Sequence, residues 1–146
     1  MKGLIALLIA SIAAVGAIAV SGAPAMTQRT AVSAHSSRYG KILFDGHGRV
    51  LYSFARDRAG RSSCSGACAK AWPPFLTSSA PRGLSGVSAK LLGTTKRSDG
   101  TLQVTYAKHP LYYFAKDTKP GQITCQNVSN FGGLWLVVRP SGKPVR

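Results

Sequence analysis

"LYSFARD" occupies Leu51–Asp57 and "LYYFAKD" occupies Leu111–Asp117. Nearly the same heptad, written twice sixty positions apart in a 146-residue chain, implies a duplicated unit. Stacked solenoids need three or more units, so two copies predict a pseudo-symmetric pair sharing one core. In each copy Tyr and Phe stand two apart, which puts them on one face of a strand. The Asp follows three residues later, where that strand should end. The correspondence runs on past the heptads: Cys64 lies seven residues after Asp57 and Cys125 eight after Asp117, and Trp72 and Trp135 lie fifteen and eighteen after.

Outward from the heptads the periodicity is two rather than 3.6, which predicts a mainly antiparallel β domain. "KILFDGHGRVLYSFA" sets two apolar runs around Asp45-Gly46-His47-Gly48 and reads as a hairpin. Val50, Tyr52 and Phe54 share one face of its second strand, with Leu51, Ser53 and Ala55 on the other. A strand over Leu91–Lys96 turns at Ser98-Asp99-Gly100 and returns through Leu102, Val104 and Tyr106. Another strand is predicted over Pro110–Ala115, and "GLWLVVRP" gives a last one whose unbroken apolar run implies burial on both faces. One short helix is expected between Ser63 and Ala71, stopped by Trp72-Pro73-Pro74. Thr77–Gly86, rich in Ser, Pro and Gly, divides the repeats, placed at about 39–80 and 88–140.

The N-terminus has the layout of a secretory signal peptide over residues 1–25: Lys2, then uncharged Leu4–Val20, then Ala23-Pro24-Ala25. A second candidate cut follows Ala34. An uncleaved membrane anchor is the rival reading, because seventeen residues lie at the short limit for a span. Residues 26–38, polar and small without periodicity, read as a flexible tether, and folded structure is expected over 39–146.

Nineteen Lys and Arg face four Asp and no Glu, for a formal net charge of +15. Outside a bacterial membrane such a charge favours anionic wall polymers, lipid head groups and extracellular nucleic acid. The basic residues are scattered singly, with no run of five, which argues against a dedicated nucleic-acid arm. Oligomeric state is not legible.

Tyr52, Phe54, Asp57 and Tyr112, Phe114, Asp117 fill the pattern Tyr-x-[Phe/Trp/Tyr]-x-x-Asp twice, beside "GRVLY", "CSGACAKAWPP", "DGTLQVTY", "HPLYYF" and Gly133-x-Trp135. These landmarks, from about Tyr39 to Arg139, resemble the bacterial secreted-repeat proteins and predicted lipoproteins defined by that motif. The resemblance implies a secreted or envelope-anchored protein without an established activity. Three features depart from the family pattern. "VSGA" at Val20–Ala23 has alanine where a lipid-bearing cysteine belongs, Lys108 stands where a glycine commonly precedes His-Pro-Leu-Tyr, and Cys125 is additional.

Each motif Asp is expected to accept hydrogen bonds from backbone N–H groups of the turn after its strand. The functional alternative places the two Tyr/Asp pairs along a small-ligand groove at the repeat interface. Cys64 and Cys68 are the preferred disulfide in an oxidising compartment, with Cys125 as a free thiol, although three cysteines allow three single pairings. Thiol-redox chemistry at Cys64 and Cys68, or zinc or copper held by cysteines with His47 or His109, is the other class considered. Neither Cys-x2-Cys nor a paired His spacing is present. His35, in the tether segment, reads as an exposed residue. Two-carboxylate hydrolysis would need Asp57 and Asp117 together in a cleft. Gly-x-Ser-x-Gly and phosphate-binding glycine loops are absent. The expectation is a non-enzymatic basic module without catalytic residues, metal or cofactor.

Overall fold

A computed structural model of the chain describes residues 30–58 and 60–146. The candidate signal peptide and the first cut site lie outside the described residues. The architecture is mainly β, with one short helix. In chain order the strands are β1 (Ala31–Ser37), β2 (Gly40–Asp45), β3 (Tyr52–Phe54), β4 (Leu76–Thr77) and β5 (Arg82–Gly83) in the first half. The second half holds β6 (Leu92–Lys96), β7 (Leu102–Tyr106), β8 (His109–Pro110), β9 (Val128–Asn130) and β10 (Gly133–Val137). Helix α1 is Ala67–Ala71, and a 3-10 turn covers Ala89–Leu91. Three sheets run β2-β1-β5, β3-β10-β9 and β4-β7-β6, with β8 on β7.

The predicted tether is corrected in its C-terminal part. Ala31–Ser37 is a strand paired antiparallel with β2, from Val32 opposite Asp45 to Ser37 opposite Gly40, and parallel with β5. Its side chains are small, so the apolar pattern is faint in the sequence, yet Val32 is fully buried against Leu43 and Val138. His35 therefore sits on a strand, its ring against Phe44. A cut after Ala34 would strip Val32 from the core.

A second correction concerns Pro110–Ala115, of which only Pro110 lies in a strand, the two-residue β8, with single bridges at Tyr112 and a turn beginning at Ala115. Across from Tyr112 and Tyr113 runs Pro73-Pro74, and prolines have no N–H to give a ladder. What remains are Tyr113 N–H to the Pro73 carbonyl at 2.8 Å and Ala115 N–H to the Ala71 carbonyl at 2.9 Å.

The strand that closes each repeat, β4 in the first and β10 in the second, pairs with the other repeat. β4 pairs with β7 of the second half, and β10 pairs with β3 of the first, through Trp135–Phe54, Leu136–Ser53 and Val137–Tyr52. The matching bonds Val104 N–H to Phe75 O at 2.8 Å and Leu43 N–H to Val138 O at 2.9 Å show the exchange to be reciprocal. Both faces of the heptad segments are buried as a result. Tyr52, Phe54 and Tyr112 enter one apolar cluster with Trp72 and Trp135, while Leu51 and Leu111 enter a second with Leu43, Phe75, Val104 and Val138. Each large apolar side chain so buried contributes about 1.5–3 kcal/mol.

Candidate functional site

The two heptads meet back to back. Tyr52 N–H donates to Tyr112 O at 2.8 Å and Tyr112 N–H to Tyr52 O at 2.9 Å, so a pseudo-twofold axis passes between them. Their hydroxyls then cross it. Tyr52 Oη donates to Asp117 Oδ2 at 2.5 Å, and Tyr112 Oη donates to Asp57 Oδ2 at 2.7 Å. Each motif tyrosine thus binds the aspartate of the other heptad. The second carboxylate oxygen serves the loop that follows: Asp57 Oδ1 accepts from Ser63 N and Oγ, and Asp117 Oδ1 from Thr124 N and Oγ1. The expected turn N–H bonds are present, and the cross-repeat phenols are what sequence reasoning missed. The hydroxyl residue directly before each Cys, Ser63 and Thr124, marks the turn contacts and gives no signal for the phenols.

The tryptophan that follows each heptad has a matching outcome. Trp72 and Trp135 stack on the axis, ring centroids 3.9 Å apart and planes 3° from parallel. Tyr52 stands edge-on to Trp72 and Tyr112 edge-on to Trp135, while Phe114 and Phe54 close the two ends of the column. Such contacts add about 0.5–1.5 kcal/mol each beyond area burial. Burial, followed by the Asp117 hydrogen bond, pushes the Tyr52 phenol far above its ordinary pKa. Burial first, with the Asp57 charge next, does the same to Tyr112. Asp57 is raised by burial against the opposing bonds from Ser63 and Tyr112.

This arrangement is a lock. Tyr52 and Tyr112 have no solvent exposure, so they do not line an open groove, and both oxygens of Asp57 and of Asp117 are engaged by protein donors. The carboxylates answer opposite tyrosines instead of sharing a cleft.

Cys64 and Cys68 form a disulfide that clamps the loop into α1, with Cα atoms 5.3 Å apart, and Cys125 is free. Burial and then the neighbouring Asp117 push the pKa of the Cys125 thiol up. His47 is exposed in the β2–β3 turn, and His109 is half-buried in β8, where desolvation pushes its pKa down.

Two of the clefts that lie off the axis have charged linings. One, about 260 Å3, is lined by Asp45, His47, Phe75, Arg82, Leu84 and Tyr113 among others. Asp45 is already occupied there by His47 N, Arg49 N and Tyr113 Oη, the last at 2.9 Å, and Arg49 lies over the Tyr113 ring. The other, about 500 Å3, lies between the Arg58–Arg61 turn and the β6–β7 turn.

Charge is segregated by depth. Of the seventeen Lys and Arg in the described residues fifteen are exposed, Arg49 is half-buried and Arg97 is buried. Asp45 and Asp117 are buried, Asp57 is partly so, and Asp99 alone is exposed. Among the described residues one ion pair occurs, Arg97 Nε to Asp99 Oδ2 at 3.9 Å. No helix among the described residues is long and apolar enough to cross a membrane.

Neither a curated protein nor a solved structure matches the chain. Residues 33–75 and 93–139 both match one family, described as a secreted repeat of unknown function. The first match begins inside β1, as the corrected fold boundary requires. With two copies spanning more than half of its length and interlocked across a pseudo-twofold axis, the chain belongs to this family of secreted repeats.

Proposed function

We propose that the protein is a non-enzymatic module of the cell envelope that holds anionic polymers or lipid head groups by its surface charge. One observation carries the reading: among the described residues fifteen exposed cations stand against a single exposed carboxylate. The other acids are drawn inward to satisfy tyrosines and backbone, so among the described residues Asp99 alone offsets the positive field on the outside. A surface of one sign attracts polyanions over several ångströms and accelerates their capture. It does so diffusely, because the interaction is screened over about 8–10 Å at physiological ionic strength.

The test is retention of the purified protein on a glycerol-phosphate polymer and on phosphatidylglycerol vesicles while sodium chloride is raised. Retention at low salt that declines continuously with added salt is expected. No retention at low salt, or retention indifferent to salt, contradicts the proposal.

A further inference from the structure

We infer that the cleft between the Arg58–Arg61 turn and the β6–β7 turn is a phosphate-binding site, the specific contact point within the broader envelope reading, on which this inference rests. The cleft is lined by Arg61, Ser62, Thr95, Lys96, Arg97 and Ser98: three cations, three hydroxyls and no carboxylate. At its floor lies Arg97, only 8% exposed. Its guanidinium donates to Ser62 Oγ at 2.9 Å, Gln103 Oε1 at 2.7 Å and the Cys64 carbonyl at 2.7 Å, all neutral acceptors. Its buried Nε has no hydrogen-bond partner among the described residues.

A guanidinium taken out of water and held by neutral dipoles is costly unless an anion balances it. The carboxylates nearby do so weakly. Asp99 Oδ2 is 3.9 Å from Nε and opens to solvent, while its Oδ1 is spent on Thr101 N and Oγ1. Asp57 feels the Arg97 charge but makes no ion pair with it, being linked only through Tyr112 and the Ser62 hydroxyl. An oxyanion in the cleft would meet the buried, hydrogen-bonded guanidinium of Arg97 and the exposed cations Arg61 and Lys96. Arginine forks, lysine and hydroxyls are the donors that suit phosphate oxygens.

The pseudo-twofold axis supplies an internal control. The equivalent cleft in the first half is lined by Ser36, Ser37, Arg38, Phe44, Gly121 and Ile123. Strand register puts Ser36 and Ser37 where Lys96 and Arg97 stand. Its single cation, Arg38, is exposed and turned onto the Ile123 carbonyl at 2.5 Å, and Phe44 contributes an apolar wall. The second-half cleft alone combines a buried arginine with two cations at its mouth.

The test follows amide and Arg97 Nε–H signals by NMR as inorganic phosphate replaces chloride at fixed ionic strength, in the parent protein, in Arg61→Gln/Lys96→Gln, and in the charge-matched control Lys119→Gln/Lys143→Gln. Both variants change exposed side chains, so folding is retained. Phosphate is expected to shift Ser62, Lys96–Ser98 and Arg97 Nε–H, with affinity falling about tenfold in the cleft variant, the worth of one or two charge-assisted bonds. The control should stay within about twofold of the parent. Equal losses in both variants, or shifts spread over all the surface cations, overturn the site while leaving polymer retention intact. Loss of polymer retention by the parent itself overturns the broader reading instead. Parallel titrations with glycerol-phosphate polymer and phosphatidylglycerol vesicles, matched in phosphate, identify the source: whichever saturates the same signals at the lowest phosphate concentration is the preferred form, and failure of all three to shift them refutes the inference.

Discussion

The second half meets Trp135 with a full antiparallel ladder on the opposing strand, β10 on β3, and satisfies the indole Nε1 with the Asn130 carbonyl at 3.1 Å. The first half meets Trp72 with Pro73-Pro74, few ladder bonds, and an indole nitrogen that has no acceptor among the described residues. In place of the β9 strand that flanks β10, the first half has α1, clamped by the Cys64–Cys68 disulfide. The halves keep the axis itself in common and differ in how each edge of it is braced. Duplication preserved the lock, and each copy found its own reinforcement.

Breaking the tryptophan stack should produce the largest effect. Trp135→Ala is expected to cost about 3–5 kcal/mol, as large aromatic truncations in cores do, measured by urea unfolding. The comparison sharpens with phenylalanine: Trp135→Phe abandons the Asn130 bond, whereas Trp72→Phe abandons none. Trp72→Phe should therefore be the milder by about 1 kcal/mol.

Alkali should break both halves together. Tyr52, Tyr112 and Tyr113 all have pKa values raised by burial as the first cause. A raised folded-state pKa means that the stability is fully present below the unfolded value near 10 and is lost as pH rises above it. Three phenols give a slope of up to about 4 kcal/mol per pH unit in that range. Phenolate absorbance should appear only together with loss of fold, and removal of one of these tyrosines should lower the slope by about a third.

The two phenol bonds themselves should be unequal. Asp117 is 2% exposed, so Tyr52→Phe strands a carboxylate oxygen away from water and is expected to cost about 2–3 kcal/mol. Asp57 is only partly buried, and water can replace the lost phenol, so Tyr112→Phe should cost about 1 kcal/mol. Equal costs in thermal melts would remove the asymmetry.

The smallest expected change is a gain. Ala107 and Lys108 form the β7–β8 turn with φ of 48° and 65°, a left-handed geometry that costs a side-chain-bearing residue about 1–2 kcal/mol. Lys108→Gly should raise stability by about 1 kcal/mol in the same melts.

Much of this was open to reading from residues alone. Alternation around Tyr52, the Asp99-Gly100 hairpin, the doubly buried last strand, the nearby pair of cysteines and the equivalence of the heptads each rest on local geometry that a short window of sequence contains. The turn at Lys108 is regular, pairing Thr105 with Pro110 and Tyr106 with His109, and keeps the left-handed backbone that favours glycine although Ala107 and Lys108 fill it. What escaped were features decided by partners far along the chain. β1 looked like a tether because Ala31, Val32 and Ala34 are small, and only β2 and β5 make it a strand. Pro110–Ala115 has a strand's pattern, and the prolines opposite it deny the ladder. Arg97 is one of the singly scattered cations in the sequence, with nothing in its neighbours to announce burial beside Gln103 and Ser62. Above all, an internal alignment pairs the two heptads as equivalents and is silent on whether each aspartate returns to its own tyrosine or to the other.

That last choice is open to direct measurement by double-mutant cycles on folding stability, using Tyr→Phe and Asp→Asn at the four positions. Reciprocal locking predicts coupling of about 1–2 kcal/mol for Tyr52 with Asp117 and for Tyr112 with Asp57, and additivity within about 0.5 kcal/mol for Tyr52 with Asp57 and Tyr112 with Asp117. Coupling confined to the pairs within each heptad would contradict it.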